Sequence, residues 1–204
     1  MKKELVIAKY ERETDWLNQI DKSVRITVYN KNINTLLDGE TYITPNVGRC
    51  LHTFFNHICK NYHSLSDVTF FAQDYPFDHV PNMIDIVNNF TLDYVCDNGM
   101  QIRDYYYPLG PANHVHSEPS GLIYGPMQMM LNERWEDIFE STEHRPGYLF
   151  TMVKAGHFVI TKNGIQCKPL SFYEKIRDML AKNIDVTPHE IERLEAYIFN
   201  PSIK

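Results

Sequence analysis

Val47-Gly48-Arg49-Cys50-Leu51-His52-Thr53-Phe54-Phe55-Asn56-His57-Ile58-Cys59-Lys60-Asn61-Tyr62, followed a few residues later by Asp67-Val68-Thr69-Phe70-Phe71-Ala72, sets two periodicities side by side. In the first segment Leu51, Phe54, Phe55, Ile58, Cys59 and Tyr62 recur at the 3.6-residue spacing of an amphipathic helix lying on a sheet, with Asn46 as its expected N-cap. The second is short, continuously apolar and rich in β-branched and aromatic residues, which predicts a buried strand. A helix delivering the chain into such a strand is the repeating unit of an α/β protein.

Working outward, Leu5-Val6-Ile7-Ala8 reads as a buried strand, Asp15-Trp16-Leu17 as a short helical turn and Arg25-Ile26-Thr27-Val28-Tyr29 as a second strand. Asn30 to Pro45 reads as a loop, and Met83-Ile84-Ile86-Val87 marks a short helix. Cys96 to Gly125, with Tyr105-Tyr106-Tyr107 and several prolines, predicts an irregular excursion. A helix from about Gln128 to Phe139, a hairpin from Phe158-Val159-Ile160-Thr161 into Asn163-Gly164, and two C-terminal helices complete the expectation. Ser171 with Glu174, and Thr187-Pro188-His189-Glu190, read as capping boxes. The fold class is therefore α/β, a single domain over 1–204 with a mostly parallel sheet flanked by helices. Its two halves would be 1–96 and 97–204.

Twenty Lys plus Arg stand against 26 Asp plus Glu, a net charge of -6 with no basic run, which argues against a nucleic-acid partner. Leu5 to Ala8 is too short an apolar stretch for a signal core or a membrane span. Cys50, Cys59, Cys96 and Cys167 form no C-x-x-C pair and suit reduced thiols, so the expected location is cytoplasmic. Neither a G-x-G-x-x-G nor a G-x-x-x-x-G-K-[ST] motif occurs, which disfavours nicotinamide and P-loop chemistry.

In open α/β sheets ligands bind beyond the carboxyl ends of the strands. Here those ends are polar: Lys9-Tyr10-Glu11-Arg12, Asn30-Lys31, and Gln73-Asp74-Tyr75-Pro76-Phe77-Asp78-His79. Asn46-Val47-Gly48-Arg49 opens the long helix, where free N–H groups and the helix dipole favour an anion. Gly48 would let a ligand approach the backbone. Arg49, a cation in a first turn, reads either as an anion clamp or as a solvent-facing ion pair. His114-Val115-His116-Ser117-Glu118 is a candidate metal cluster, since H-x-H in an extended segment places both rings on one face.

Val6-Ile7-Ala8-Lys9-Tyr10, Asp15-Trp16-Leu17, Val28-Tyr29-Asn30-Lys31, Asn46-Val47-Gly48-Arg49 through His52-Thr53-Phe54, and Asp67-Val68-Thr69-Phe70-Phe71-Ala72-Gln73 leading to Pro76-Phe77-Asp78-His79, with Ala155-Gly156-His157-Phe158-Val159-Ile160, Lys168-Pro169-Leu170-Ser171-Phe172-Tyr173-Glu174 and Leu194-Glu195-Ala196-Tyr197-Ile198-Phe199 late in the chain, resemble in order a poorly characterised family. The family, with fungal, plant, bacterial and viral members, is grouped with the glycosyltransferases of GT-A type. The resemblance implies a nucleotide-binding α/β half followed by an acceptor-binding half, with a nucleotide diphosphate sugar as donor and a glycan or similar hydroxyl as acceptor. On that reading Lys9, Tyr10, Arg12, Asn30, Lys31, Asn46, Gly48, Arg49 and Gln73 would bind the donor. Asp74 would orient the sugar or hold a divalent metal, Mn²⁺ or Mg²⁺, with His157 as a late ligand, and Glu136 or Asp137 would supply the acceptor base. Two positions depart from the pattern: Cys50 stands where relatives tend to carry Glu, and Gln73-Asp74 lacks the D-x-D triplet that normally carries the metal. Two other readings stay open. One is a non-catalytic carbohydrate-binding or assembly protein on the same fold, and the other a metal-dependent hydrolase using His114, His116 and Glu118.

Overall fold

The computed structural model describes residues 1–32, 41–92, 105–109, 112–116, 125–143, 145, 149–153, 156–182 and 187–203; for 41, 112–116, 125–130 and 149–153 it describes the backbone alone. Strands β1 (Lys3–Lys9), β2 (Val24–Asn30), β3 (Thr41–Ile43) and β4 (Val68–Gln73) run parallel. A fifth sheet position is taken by β8 (Phe158–Thr161), antiparallel to β4, and the far edge by β5 (Tyr106–Pro108). The order is β3-β2-β1-β4-β8-β5. Because β8 pairs with β4, the two sequence halves share one sheet.

β1 sits between β2 and β4, and Leu5, Val6 and Ile7 are wholly buried, as expected of a strand covered on both faces. Alternation divides the core in two. Val6, Ala8, Phe71 and Phe158 pack with helices α1 (Arg49–Asn61), α5 (Leu170–Ala181) and α6 (Thr187–Ile198), while Trp135 comes in from α3 (Gly125–Phe139). Leu5, Ile7, Val68 and Phe70 pack on the other face with Trp16 and with Met83, Ile86 and Val87 of α2 (Met83–Asn89). The α/β class, the first, second and fourth strands and the amphipathic helix follow the sequence reading.

Several local expectations are corrected. The stretch read as a loop from Asn30 to Pro45 contains β3, whose Tyr42 ring stacks on Tyr29 of β2 at 5.3 Å. Within the supposed irregular excursion lie β5 and β6 (Ala112–His116), the latter paired antiparallel with β7 (Leu149–Val153). The expected hairpin is instead the short helix α4 (Lys162–Gln166), capped by Thr161 Oγ1, which accepts the Gly164 N–H at 3.1 Å. Gly164 serves close packing here, since a Cβ on it would lie 2.9 Å from Tyr105 Cβ. α5 begins after Pro169 with no side-chain cap, so Ser171 makes no capping box. Glu190 accepts from Arg134 Nε at 2.7 Å and Thr187 Oγ1 has no hydrogen-bond partner among the described residues, so the second box is not formed either.

The start of α1 differs most usefully. Its N-cap is Gly48, not Asn46, and no side chain caps it; Gly48 (φ 57°) and Arg49 (φ 50°) are both left-handed. A Cβ on Gly48 would lie 2.7 Å from His52 Cβ and 2.9 Å from Leu180 Cβ and O. Gly48 therefore lets α1 close against α5, which replaces the expectation that it makes room for a ligand. Gly156 (φ 57°) has only ordinary contacts, at 3.6 Å or more, around the same hypothetical atom. Gly48→Ala should accordingly lose about 2–4 kcal/mol, from left-handed strain plus overpacking, and Gly156→Ala only about 1 kcal/mol, from strain alone. Urea unfolding of the two variants measures the difference.

Candidate functional site

Chain order reverses between β1 and β4: from β1 the chain steps outward to β2 and β3, then returns to the other side of β1. Such a switch point parts the loops at the carboxyl ends of the two strands and leaves a crevice. A cavity of about 650 Å³ opens there. Of the residues proposed from sequence, Tyr10, Lys31, Asn46, Arg49, Gln73 and Asp74 line it, as does His79.

Asp74 builds the crevice. Its Oδ2 accepts the backbone N–H groups of Tyr10, Glu11 and Arg12 at 2.9, 3.1 and 2.9 Å, and its carbonyl oxygen accepts Trp16 Nε1–H at 2.8 Å. Successive amides pointing at one oxygen form an anion nest, and the protein's own carboxylate fills it. Lys9 is buried and donates from Nζ to the Arg12 carbonyl at 2.6 Å, which fixes the far end of the same loop. The Arg12 guanidinium lies over the Tyr75 ring at 5.7 Å. Asn30, buried, accepts the Asn32 N–H on Oδ1 at 2.9 Å and so shapes the turn after β2. Lys9, Arg12 and Asn30 thus shape and border the crevice without lining it, and Gly48 faces α5.

On the α1 side the first backbone N–H to be taken up within the helix is that of His52, bonded to the Gly48 carbonyl at 3.1 Å. The amides of Arg49, Cys50 and Leu51 precede it, and all three residues line the cavity. Lys31 Nζ donates to the carbonyl oxygens of Val47, at 2.7 Å, and Arg49. Burial pulls the Lys31 ammonium down to about 8 and pushes the Cys50 thiol up to about 12. Gln73 reaches Cys50 Sγ from Nε2 at 3.6 Å.

His157 is buried with Nδ1 accepting the Gln73 N–H at 3.4 Å, a pairing that puts the ring proton on Nε2. Burial and the neighbouring His79 hold it near pKa 3, so it is neutral. Asp74 Oδ2 is taken by three N–H donors and His157 Nδ1 by a fourth, which leaves Asp74 Oδ1 and His157 Nε2 as the atoms a metal shared by these two residues would need. Among the described residues no three His, Cys, Asp or Glu side chains come together as a ligand set. β6 runs through His114 and His116, but their side chains and Glu118 lie outside the described residues.

Glu136 and Asp137 do not reach the cavity. They sit exposed on α3, paired with Arg145 at 2.7 Å and Arg134 at 3.0 Å. What sequence reasoning missed is the α6 side of the cavity: Gly156, and Pro188, His189, Glu192 and Arg193 from the first turns of α6. Pro188 and His189 had been seen only as part of a helix start. A polar i, i+3, i+4 set of His189, Glu192 and Arg193 on a helix whose other face is apolar was the available signal.

With this geometry in view, the family relationship can be stated. The matching family model is "Protein of unknown function (DUF3431)", over residues 5–200, and the chain belongs to that family. No curated protein and no solved structure gives a significant match. Among the described residues no helix is long and apolar enough to cross a membrane.

The Asp74 nest is a folding element as much as a site element. Hydrogen bonds to a charged acceptor contribute roughly 1.5–3 kcal/mol each, and truncation leaves several amides unsatisfied at once. Asp74→Ala should therefore cost about 3 kcal/mol or more in urea unfolding. Glu136→Ala, on the exposed face of α3, should stay within about 0.5 kcal/mol of wild type.

Proposed function

We propose that this chain is a glycosyltransferase that binds a nucleotide diphosphate sugar in the β1–β4 crevice and passes the sugar to a hydroxyl of a glycan or similar acceptor. The observation that carries the reading is the cationic lining of a cavity at a sheet switch point: Lys31, Arg49 and Arg193 around the amino end of α1. The resemblance of the chain's sequence blocks to a poorly characterised family grouped with the GT-A glycosyltransferases supports the same choice. A volume of about 650 Å³ falls within the range of small-molecule and cofactor pockets.

Because Asp74 occupies the amide nest of the β1 loop, the diphosphate goes to the α1 side, where Arg49 and the first-turn amides neutralise the leaving group. Tyr10, 44% exposed at the rim, offers a ring face to the base or the sugar. Glu192 lines the cavity, whereas Glu136 and Asp137 do not, so the acceptor base is assigned to Glu192. His189 Nδ1 lies 3.8 Å from its Oε2. No step is routed through a metal.

Arg49 gives the sharpest test, since its backbone is strained and its side chain is exposed to the cavity. Arg49→Gly should raise stability by about 1 kcal/mol by relieving the left-handed residue. The same change should weaken nucleoside diphosphate binding about ten- to a hundredfold by removing the cation. Calorimetric titration of UDP, GDP, dTDP, CDP and ADP into both proteins, with melting curves, reads both quantities. Wild-type protein that binds none of the five contradicts the transferase reading. Unchanged affinity in Arg49→Gly contradicts the role given to Arg49.

A further inference from the structure

The inner wall of the cavity carries a positive charge that has no counter-ion among the described residues. Lys31 follows directly on β2, is only 6% exposed and lines the cavity. Its ammonium has three N–H groups, and the carbonyl oxygens of Val47 and Arg49, on either side of Gly48, accept from it. Neither acceptor is charged. No carboxylate forms an ion pair with it among the described residues. A buried charge held only by neutral dipoles keeps much of its desolvation cost.

The groups around it do not remove that cost. From α1, the Cys50 thiol is held protonated and the His52 imidazole neutral, near pKa 4, both chiefly by burial. Arg49 and Arg193 add like charge to the lining, as His79 and His189 would on protonation. Tyr10 adds a phenol at the rim, and Lys9, at the end of β1, turns its Nζ to the Arg12 carbonyl. The lining carboxylates are Asp74, whose Oδ2 serves the β1-loop amides, and Glu192, which lies within 3.8 Å of His189 on α6.

We propose that the cavity contains an anion subsite built on Lys31, in which a bound tetrahedral dianion supplies the missing counter-charge and is taken up together with a proton. The identification of that dianion with the diphosphate of a sugar donor rests on the transferase reading; the subsite itself does not. Free Lys31 loses its proton as pH rises through about 8. An anion beside it favours the charged form, so the bound protein keeps the proton to higher pH. Binding then draws a proton from solution above pH 7, and affinity falls as the competent ammonium form becomes scarce. At pH 9 that form is about a tenth of the population, so binding should be about tenfold weaker than at pH 7.

The probe is sulfate, which does not itself titrate in this range. It is titrated calorimetrically into the full chain at pH 7, 8 and 9, in two buffers of different ionisation enthalpy. The expected uptake is a small fraction of a proton at pH 7, about half at pH 8 and close to one at pH 9. Lys31→Met should bind sulfate at least about tenfold more weakly at pH 7 and lose this pH dependence. Heats independent of buffer, no sulfate binding by wild type, or a Lys31→Met chain that binds like wild type would each overturn the proposal. Should Lys31→Met fail to fold, the wild-type buffer dependence decides alone. If sulfate behaves as expected while none of the five nucleoside diphosphates displaces it, the Lys31 subsite stands and the transferase reading falls.

Discussion

A single carboxylate oxygen, Asp74 Oδ2, holds the ends of two central strands together. β1 and β4 are hydrogen-bonded neighbours along their length, but their continuations must part at the switch point. Three amides from Tyr10 to Arg12 turn back to that oxygen, and Trp16 Nε1 ties down the Asp74 carbonyl behind it. The crevice therefore has a braced wall rather than two loose loops. The brace also decides the chemistry: an amide nest already filled by a carboxylate repels a phosphate, so an anionic ligand is directed to the opposite wall.

That opposite wall is assembled by two unusual local solutions. Gly48 is left-handed and packed so closely on α5 that a Cβ has no room, and Arg49 follows it in the same conformation without the glycine's freedom. Lys31 bonds to the carbonyls on both sides of Gly48. Strain in a side-chain-bearing residue and a buried ammonium that meets no carboxylate among the described residues are both costly to a fold. Their meeting in one cavity is the physical reason to regard the cavity as a binding site, independent of any resemblance.

The parts of this architecture that were legible in the sequence are those governed by periodicity. Continuous burial of Leu5, Val6 and Ile7, and the stripe from Leu51 to Ile58, left little alternative to a central strand and a helix on its face. Strand ends at Tyr10, Lys31, Gln73 and Asp74 were legible because α/β geometry gathers such ends into one crevice. What was not legible depends on partners distant in sequence. Asp74 looks like any strand-end carboxylate until the amides of residues 10–12 are seen on it, and Gly48 looks like a ligand-facing glycine until Leu180 is seen against it. Glu136 and Asp137 lie away from this cavity, which the sequence could not tell, because an acidic pair on a helix says nothing about which face meets the cavity. The short strands β3 and β5, three residues each, are edge strands set by pairing with β2 and β8 and carry no periodicity of their own.

The central claim is that a nucleotide diphosphate sits against the start of α1, across the crevice from the filled Asp74 nest. The most direct measurement is an amide ¹H–¹⁵N correlation spectrum of the full chain titrated with the nucleoside diphosphate that binds best. The account predicts the largest shifts at Arg49, Cys50 and Leu51, accompanying shifts at Gly156 and at His189 to Arg193, and none at Glu136 or Asp137. Shifts concentrated on α3, or a spectrum unchanged at the first turn of α1, would contradict it.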